Sequence, residues 1–224
     1  MSDGAKASGA EEAEARAEMR VIEALRHGDE AAFARLVNQH HASLRRVARL
    51  YVSNRAVAEE VVQDTWLGVI QGMWAFEGRS SLKTWIFRIL INRAKTRAAR
   101  EGRTVPFAGF GADDVGAPEA AVSPDRFWPA DHPTEPGRWT GPPRDFGASP
   151  EHRLLGREAG EQLQKAIDAL PPNQRLVLTL RDVEGCSTEE VCNTLGIQET
   201  NGRVLLHRAR AKVRAALGPY LEGE

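Results

Sequence analysis

The sequence lacks the motifs by which most enzymes and membrane proteins are recognised. It has no glycine-rich phosphate loop and no nucleophile elbow, and its six histidines do not fall at the spacing of metal ligands or catalytic groups. No segment approaches the roughly eighteen consecutive apolar residues of a membrane span, and the N-terminus is acidic and alanine-rich, unlike a signal peptide. We therefore expect no catalytic site, cofactor, metal or small-molecule substrate, and no direct insertion into a membrane.

Cysteine is equally scarce, because the chain has only two, Cys186 and Cys192. They lie close together near the start of one predicted helix, without histidine or further cysteine at ligand spacing. We expect both to be small buried hydrophobic residues. A redox pair or a metal site is the alternative.

The chain also has almost no net charge, since its formal charge is −1 at pH 7. The charges are nevertheless segregated. Residues 79–103 hold eight Lys or Arg against one acid, and residues 203–214 hold five against none. Residues 1–30 and 104–150 are acidic on balance. Because the local field decides whether a polyanion is attracted, the two basic segments favour binding to a nucleic acid.

Strand-like alternation is absent over any useful length, and apolar residues recur at helical spacing instead. Helices are predicted to begin after Asp29, after Asn54, and after Ser80 or Ser81, because Asp, Asn and Ser are preferred N-cap residues. The third of these helices is expected to run to about Arg100. Its apolar positions are Leu82, Trp85, Ile86, Ile89 and Leu90. The pattern indicates a compact helical domain.

Composition divides the chain into domains and connecting segments. Residues 102–150 contain nine of the twelve prolines and seven glycines, which predicts a flexible linker. Within it, Trp128 and Trp139 are candidates for docking onto another surface. The first helical domain covers residues 21–101. Residues 1–20 precede it as an extension that is either a frayed helix or disordered.

The second domain, residues 151–224, is predicted to contain four helices, of which the last two form a helix-turn-helix. Ser187-x-x-Glu190 has the pattern of a capping box that opens the first of these two helices. Gly196 suits the left-handed turn between them, and the second helix starts near Glu199. A basic second helix of this kind enters the major groove of DNA. The alternative is an ordinary helical bundle whose basic face is solvated.

Motifs in both helical domains resemble one family. In the first domain they are AEEVVQDTWLGVI and FEGRSSLKTWIFRILINRAK, and in the second they are LPPNQRLVLTLRDVEGCSTEEVCNTLGI and LHRARAKVR. Together they resemble bacterial RNA polymerase sigma factors, specifically the extracytoplasmic-function (ECF) group of the sigma-70 family. The resemblance covers roughly residues 25–101 and 151–217. It implies an all-α fold with a three- or four-helix promoter-melting domain and a four-helix domain, joined here by an unusually long proline-rich linker.

The resemblance also implies a function. Such a protein is a dissociable, non-enzymatic subunit that binds core RNA polymerase through the β′ clamp helices and the β flap, directs it to specific promoters and helps melt them. It acts in the cytoplasm, and an anti-sigma factor controls it and can hold it at the membrane. Two other functions stay open: a stand-alone helix-turn-helix transcriptional regulator, and a sigma-mimicking protein that sequesters an anti-sigma factor.

The segment at the start of the third helix carries the chemistry that single-stranded DNA requires. Cations meet phosphates, aromatic rings stack on bases, and amide or hydroxyl groups bind an extruded base. The residues are Phe76, Arg79, Ser80, Lys83, Trp85, Arg88, Asn92 and Lys95. By resemblance, the loop 76–82 and Asn92 would capture a flipped base of the minus-ten promoter element. The alternative for Phe76 and Trp85 is that both are core aromatics.

The resemblance assigns further residues to core polymerase and to the minus-thirty-five element. Asp64 and Trp66 fall where the family contacts the β′ clamp helices, although the sequence alone would make Asp64 a solvated carboxylate and Trp66 a core residue. The family's major-groove contacts map onto Arg203, Val204, His207 and Arg208, and the basic Arg210 and Lys212 follow on the same helix. Asn201-Gly202 and Val204 depart from the family pattern. Val204 can instead contact a thymine methyl group.

Overall fold

The computed structural model describes residues 3–102 and 150–221, and every regular element in these ranges is helical. The first range contains α1 (Asp3–Arg26), α2 (Glu30–Ala48), α3 (Arg55–Gly72), a 3-10 turn (Met73–Ala75) and α4 (Leu82–Arg100). The second contains α5 (Pro150–Asp168), α6 (Pro172–Leu178), a π-helical turn (Thr179–Val183), α7 (Thr188–Leu195) and α8 (Glu199–Leu221). The predicted all-α class is confirmed. Among these helices none is long and apolar enough to cross a membrane.

The helices of the first range begin where their N-cap residues predict. Asp29 accepts a hydrogen bond from the backbone N–H of the third residue of α2 at 2.9 Å, and Asn54 accepts one from the second residue of α3 at 2.8 Å. Of the two serines proposed for α4, Ser81 is the cap, and it accepts from the third residue of the helix at 3.2 Å. Each cap of this kind stabilises its helix by about 1 kcal/mol.

Helix α1 covers most of the predicted N-terminal extension, so the helical alternative is the observed one for residues 3–20. Two of its side chains contact the segment that leads into α4. The Glu18 carboxylate accepts a hydrogen bond from Leu82 N at 2.7 Å, and the Arg26 guanidinium donates to Phe76 O at 2.5 Å. Through these contacts α1 helps to fix the start of α4.

The core of the first four helices is aliphatic and aromatic. Leu44 of α2, Val62 of α3, and Phe87 and Leu90 of α4 are each at most 1% exposed. Full burial of such a side chain contributes about 1.5–3 kcal/mol. The sequence pattern had included Leu90 in the buried stripe of α4 but not Phe87. The buried face is wider than predicted because α2, α3 and α7 all pack against α4.

The helices form two compact units that do not follow chain order. The first unit contains α1 to α4 together with residues 180–197, which include α7. The second contains α5, α6 and α8, in which Leu176 and Leu205 are buried. The sequence had placed all of residues 151–224 in one domain. The boundaries of that domain stay a prediction. The predicted linker covers residues 102–150. Except for its two end residues it lies outside the described ranges, and so do Trp128 and Trp139.

The local structure around α7 matches the predicted start and end of a helix. Ser187 and Glu190 form the complete capping box, each side chain bonding to the other's backbone N–H. Gly196 has a φ of +70°, and the N–H groups of Gly196 and Ile197 donate to Cys192 O at 2.8 and 3.1 Å. A residue with a Cβ would be strained in this left-handed conformation, so the turn favours glycine.

Candidate nucleic-acid-binding surfaces

Four of the residues predicted to bind single-stranded DNA share one face of α4. Trp85, Arg88, Asn92 and Lys95 follow one another at intervals of three, four and three positions, which places them in one row along an α-helix. We call this row the α4 strip. Arg88 and Asn92 are exposed, whereas Trp85 and Lys95 are half-buried, and burial lowers the pKa of Lys95. The strip presents two cations, an amide and the edge of an indole to solvent.

Trp85 is held in place by core contacts. Its ring lies 4.9 Å from the ring of Phe76, with a tilt of 44° between the two planes. It also lies against α3, since a Cβ added at Gly72 would come within 3.0 Å of the indole Cζ2. Phe76 itself is only 4% exposed. Phe76 is therefore a core aromatic residue, which is the alternative that the sequence had left open. Its ring packs against Trp85.

The remaining minus-ten candidates do not join the α4 strip. Lys83 lies about 160° around the helix axis from Trp85, given 100° per residue, and its ammonium donates to Glu184 O. Arg79 is exposed and forms an ion pair with Glu77. Ser80 is half-buried, and its hydroxyl donates to the next backbone carbonyl at 3.4 Å. The structure thus divides the eight predicted residues into three groups: the α4 strip, Lys83 on another side of α4, and Phe76, Arg79 and Ser80 in the segment that precedes the helix.

The N-terminus of α4 contacts a carboxylate that the sequence did not connect with it. Glu190 Oε1 accepts hydrogen bonds from Ser81 Oγ at 2.5 Å and from Thr84 Oγ1 at 2.7 Å. Burial by itself would raise the pKa of Glu190, but the hydrogen bonds from Ser81, Ser187 and Thr84 outweigh it, and the net shift is downward. The sequence pattern had given Glu190 a role only in the capping box of α7. Its contact with Ser81 was not predicted, because Ser81 lies 109 positions away in the sequence.

A second carboxylate of the same unit lies nearby. The Glu184 side chain is 3% exposed and forms an ion pair with Arg46 of α2. Burial lowers the pKa of the neighbouring His40, Lys83 lowers it further, and Glu184 opposes both. A buried carboxylate without a partner would be costly, so the arginine is needed to keep Glu184 where it is.

The predicted recognition helix α8 also presents a basic face. Arg203, His207 and Arg210 lie one turn apart on one side, while Leu205 and Ala209 are buried on the other. The adjoining Val204 is 44% exposed. The other two candidates lie further round: Arg208 by about 140° and Lys212 by about 180° from Arg203. Because they lie on one side of α8, Arg203, His207 and Arg210 can face one groove of DNA together.

The two residues assigned to core polymerase differ in exposure. Asp64 is exposed on α3 and lines a groove of about 300 Å³, which Asn92 of the α4 strip and Arg93 also line. Trp66 is 7% exposed and packs edge-to-face on Phe33, with 5.8 Å between the ring centroids. Asp64 is therefore accessible to a partner, whereas Trp66 is a core residue, the alternative that the sequence had offered.

Both cysteines are buried and neither forms a disulfide, as expected for small hydrophobic residues. Burial raises the pKa of the Cys186 thiol, and a thiol held in its neutral form is a poor nucleophile. Within residues 3–102 and 150–221, no group of three or more His, Cys, Asp or Glu side chains is placed to hold a metal ion.

Comparison with known proteins connects these surfaces to a family. The family model for sigma-70 region 2 matches residues 36–104, and the model for sigma-70 region 4 matches residues 160–213. Together they cover more than half of the chain. The α4 strip lies in the first match, and the basic face of α8 lies in the second.

Relatives and solved structures agree with this assignment. The RNA polymerase sigma-H factor of Pseudomonas aeruginosa is 28% identical over 204 residues, which span 91% of this chain and 95% of the relative. The ECF RNA polymerase sigma-E factor of Escherichia coli is 27% identical over 201 residues, which span 90% and 94%.

Among solved structures, CnrH in complex with the cytosolic domain of CnrY matches with a TM-score of 0.53 and 20% identity, over 91% of this chain and 98% of that one. The sigma factor RpoE in complex with the anti-sigma factor NepR from Bartonella quintana matches with a TM-score of 0.51 and 22% identity, over 83% and 96%. These two likenesses concern the fold. With both sigma-70 regions present in order, the chain belongs to the sigma-70 family of RNA polymerase sigma factors, within its ECF group.

Proposed function

We propose that this chain is a promoter-specificity subunit that binds core RNA polymerase, directs it to particular promoters and helps to melt them. The observation that carries the proposal is the presence of both sigma-70 regions, each with a basic exposed helix face. Two such faces can hold and position promoter DNA through its phosphates, and this task needs no catalytic group from the chain.

The α4 strip is the surface we assign to the melted minus-ten element. The exposed edge of Trp85 can stack on an unpaired base, and Arg88 and Lys95 can neutralise phosphates. Asn92 offers both a donor and an acceptor to the edge of an extruded base. Phe76 acts through Trp85, whose position it fixes, because its own ring is buried.

The basic face of α8 is the surface we assign to the minus-thirty-five element. Arg203, His207 and Arg210 project from one side and can reach base edges and phosphates of the major groove. Val204, exposed beside them, can contact a thymine methyl group. Arg208 and Lys212 are placed for phosphates at the sides of the groove.

Asp64 is the residue we assign to the β′ clamp helices of core polymerase. It is exposed, and it shares a groove with Asn92, so polymerase binding and capture of the minus-ten element would take place on adjacent surfaces. The buried Trp66 would position this region rather than contact the partner. The β flap and an anti-sigma factor are the further partners we propose, the latter supported by the anti-sigma complex of the similar RpoE.

Run-off transcription with purified core enzyme tests the proposal. We expect promoter-dependent transcripts when this protein alone is added to the core enzyme. A stand-alone helix-turn-helix regulator would bind duplex DNA tightly without polymerase and would not start transcription from core enzyme. A sigma-mimicking protein would bind an anti-sigma factor and produce no transcript. Either of these two results would refute the proposal.

Charge reversal at Asp64 tests the polymerase interface. We expect Asp64→Lys to weaken association with core enzyme by at least about tenfold, because reversing a charge in a polar interface leaves its partner opposed rather than paired. Association can be measured by fluorescence polarisation of the labelled protein. Glu158→Lys, which reverses an exposed carboxylate of α5, is the matched control and should bind as the wild type does. Unchanged association of Asp64→Lys, with helicity retained, would remove Asp64 from the interface.

A further inference from the structure

Helix α1 contacts both ends of the segment 76–82, the predicted site of base capture. At the first end, the Arg26 guanidinium donates a hydrogen bond to Phe76 O at 2.5 Å. At the other end, the Glu18 carboxylate accepts one from Leu82 N at 2.7 Å. Glu18 and Arg26 are separated by about 12 Å along the helix, given the rise of 1.5 Å per residue. We call these two hydrogen bonds the α1 brace.

The α1 brace supplies partners for backbone groups that helix α4 does not satisfy. Leu82 is the first residue of α4, so its N–H has no acceptor within the helix. The side chain of the N-cap Ser81 accepts from Thr84 N and leaves the N–H of Leu82 to Glu18. Phe76 follows the 3-10 turn, and its carbonyl accepts from Arg26. For both groups the hydrogen-bond partner therefore comes from α1.

Between these two points the segment is open to solvent. Residues 77–79 are exposed, and Gly78 has a φ of +70°. The side chains of Glu77 and Arg79 form an ion pair with each other. A loop whose ends are fixed can receive a base without first ordering its backbone, and a site ordered in advance binds more tightly because that entropy is not lost on binding.

Both residues of the α1 brace precede the region that matches the family model. The match to sigma-70 region 2 begins at residue 36. Glu18 also lies in the segment 1–20, which was predicted to be an extension in front of the first domain. Its contact with Leu82, 64 positions away, connects that extension directly to the start of α4.

We propose that the α1 brace preorganises the segment 76–82 for capture of a flipped minus-ten base, which makes Glu18 and Arg26 positioning residues for promoter melting. Neither side chain needs to touch DNA. Arg26 acts through Phe76, whose ring packs on Trp85, and Glu18 acts through the backbone of Leu82. This inference rests on the function proposed above for α4.

Glu18→Ala tests the brace in holoenzyme assembled from core enzyme and the full-length chain. Affinity is measured for a forked promoter fragment with the complete minus-ten element and for fragments with an abasic site at each of its positions in turn. The flipped position is the one where loss of the base costs the wild type the most affinity.

We expect Glu18→Ala to bind the complete fragment about fivefold more weakly than the wild type, because its loop must be ordered when the base enters. The fragment that is abasic at the flipped position should bind as it does to the wild type, since no base is captured there. Glu23→Ala removes an exposed carboxylate from the same helix and is the matched control. It should bind both fragments as the wild type does.

The abasic fragment separates positioning of the loop from a general loss of structure. A weakened fold or polymerase contact would lower the affinity for both fragments by the same factor, and that result would overturn the proposal. Equal or tighter binding of the complete fragment by Glu18→Ala would also overturn it. Glu18→Gln keeps an acceptor for Leu82 N and should recover most of the affinity. Equal losses by the alanine and glutamine variants would contradict the hydrogen bond.

Arg26→Ala tests the other end of the loop independently of how the Glu18 variants fold. We expect the same loss on the complete fragment and a much smaller one on the abasic fragment. Arg20→Ala removes an exposed cation of α1 and should change both affinities by one small factor that depends on salt. A loss by Arg26→Ala that is equal on the two fragments would overturn the proposal. Thermal unfolding of each variant shows that it is folded.

Transcription separates failure of the brace from failure of the proposed function. If the wild type gives promoter-dependent run-off but the brace variants show no loss that depends on the base, the brace is refuted and the function stands. If the wild type gives no run-off, the proposed function is refuted. Wild-type run-off together with a base-dependent loss in the brace variants supports both.

Discussion

Replacing Trp85 with alanine is expected to abolish most of the single-stranded DNA binding of this protein. Stacking of one base on an aromatic side chain contributes about 1–3 kcal/mol, which corresponds to a loss of about 5- to 150-fold in affinity. Binding of a forked promoter fragment by the holoenzyme, and permanganate reactivity of unpaired thymines in the minus-ten element, measure the effect. We expect both to fall together.

The same substitution also removes packing, so the experiment needs a variant that separates the two effects. Trp85→Ala loses the contacts with Phe76 and with the Gly72 region of α3, and its thermal stability should fall. Trp85→Leu keeps an apolar side chain there and should recover much of the stability but not the DNA affinity. Trp74→Ala, on a tryptophan that is 73% exposed, is the matched control and should change neither quantity. Wild-type DNA affinity of Trp85→Leu would contradict a stacking role.

Loss of Arg203 is expected to have the largest effect on promoter selection. A bidentate contact from arginine to guanine contributes about 1–3 kcal/mol of discrimination, so Arg203→Ala should reduce transcription from a wild-type promoter by about fivefold or more. Its ion pair with Glu199 joins two exposed side chains, at 2.9 Å, and such pairs are too weak to hold the arginine away from DNA. Arg208→Ala should also reduce transcription, by a smaller factor.

Lys212→Ala is the internal control for this helix. Because Lys212 lies about half a turn from Arg203, we expect it to contact a phosphate at most, and its loss should have a small effect that depends on salt rather than on promoter sequence. Run-off from promoters with wild-type and scrambled minus-thirty-five elements distinguishes the two kinds of contact. Wild-type activity of both Arg203→Ala and Arg208→Ala would refute the orientation given to α8.

The starts and ends of the helices could be predicted because they depend on neighbours in the sequence. A cap such as Asp29, Asn54 or Ser81 bonds to a backbone group two or three residues away, and a left-handed glycine such as Gly196 acts on its own turn. The α4 strip could be predicted for a similar reason, because the helical period alone places its four residues in one row.

Burial was harder to predict where a residue had two possible roles. Phe76 and Trp66 each carry an aromatic ring that suits either a partner or a core, and the sequence left both alternatives open. The packing of Trp85 on Phe76, and of Phe33 on Trp66, makes both of these rings part of the core. That result depends on how whole helices pack against one another, which a local pattern does not encode.

The sequence by itself determined the helical class, the positions of the caps, the two basic segments and the motifs of the sigma-70 family. Each of these follows from residues within a few turns of one another or from composition. Only the tertiary structure decided that Glu190 joins α4 to α7 and that the Lys83 ammonium donates to the backbone carbonyl of Glu184. Contacts between groups about a hundred residues apart arise from the packing of whole helices, and no periodicity in the chain specifies which side chains will then meet.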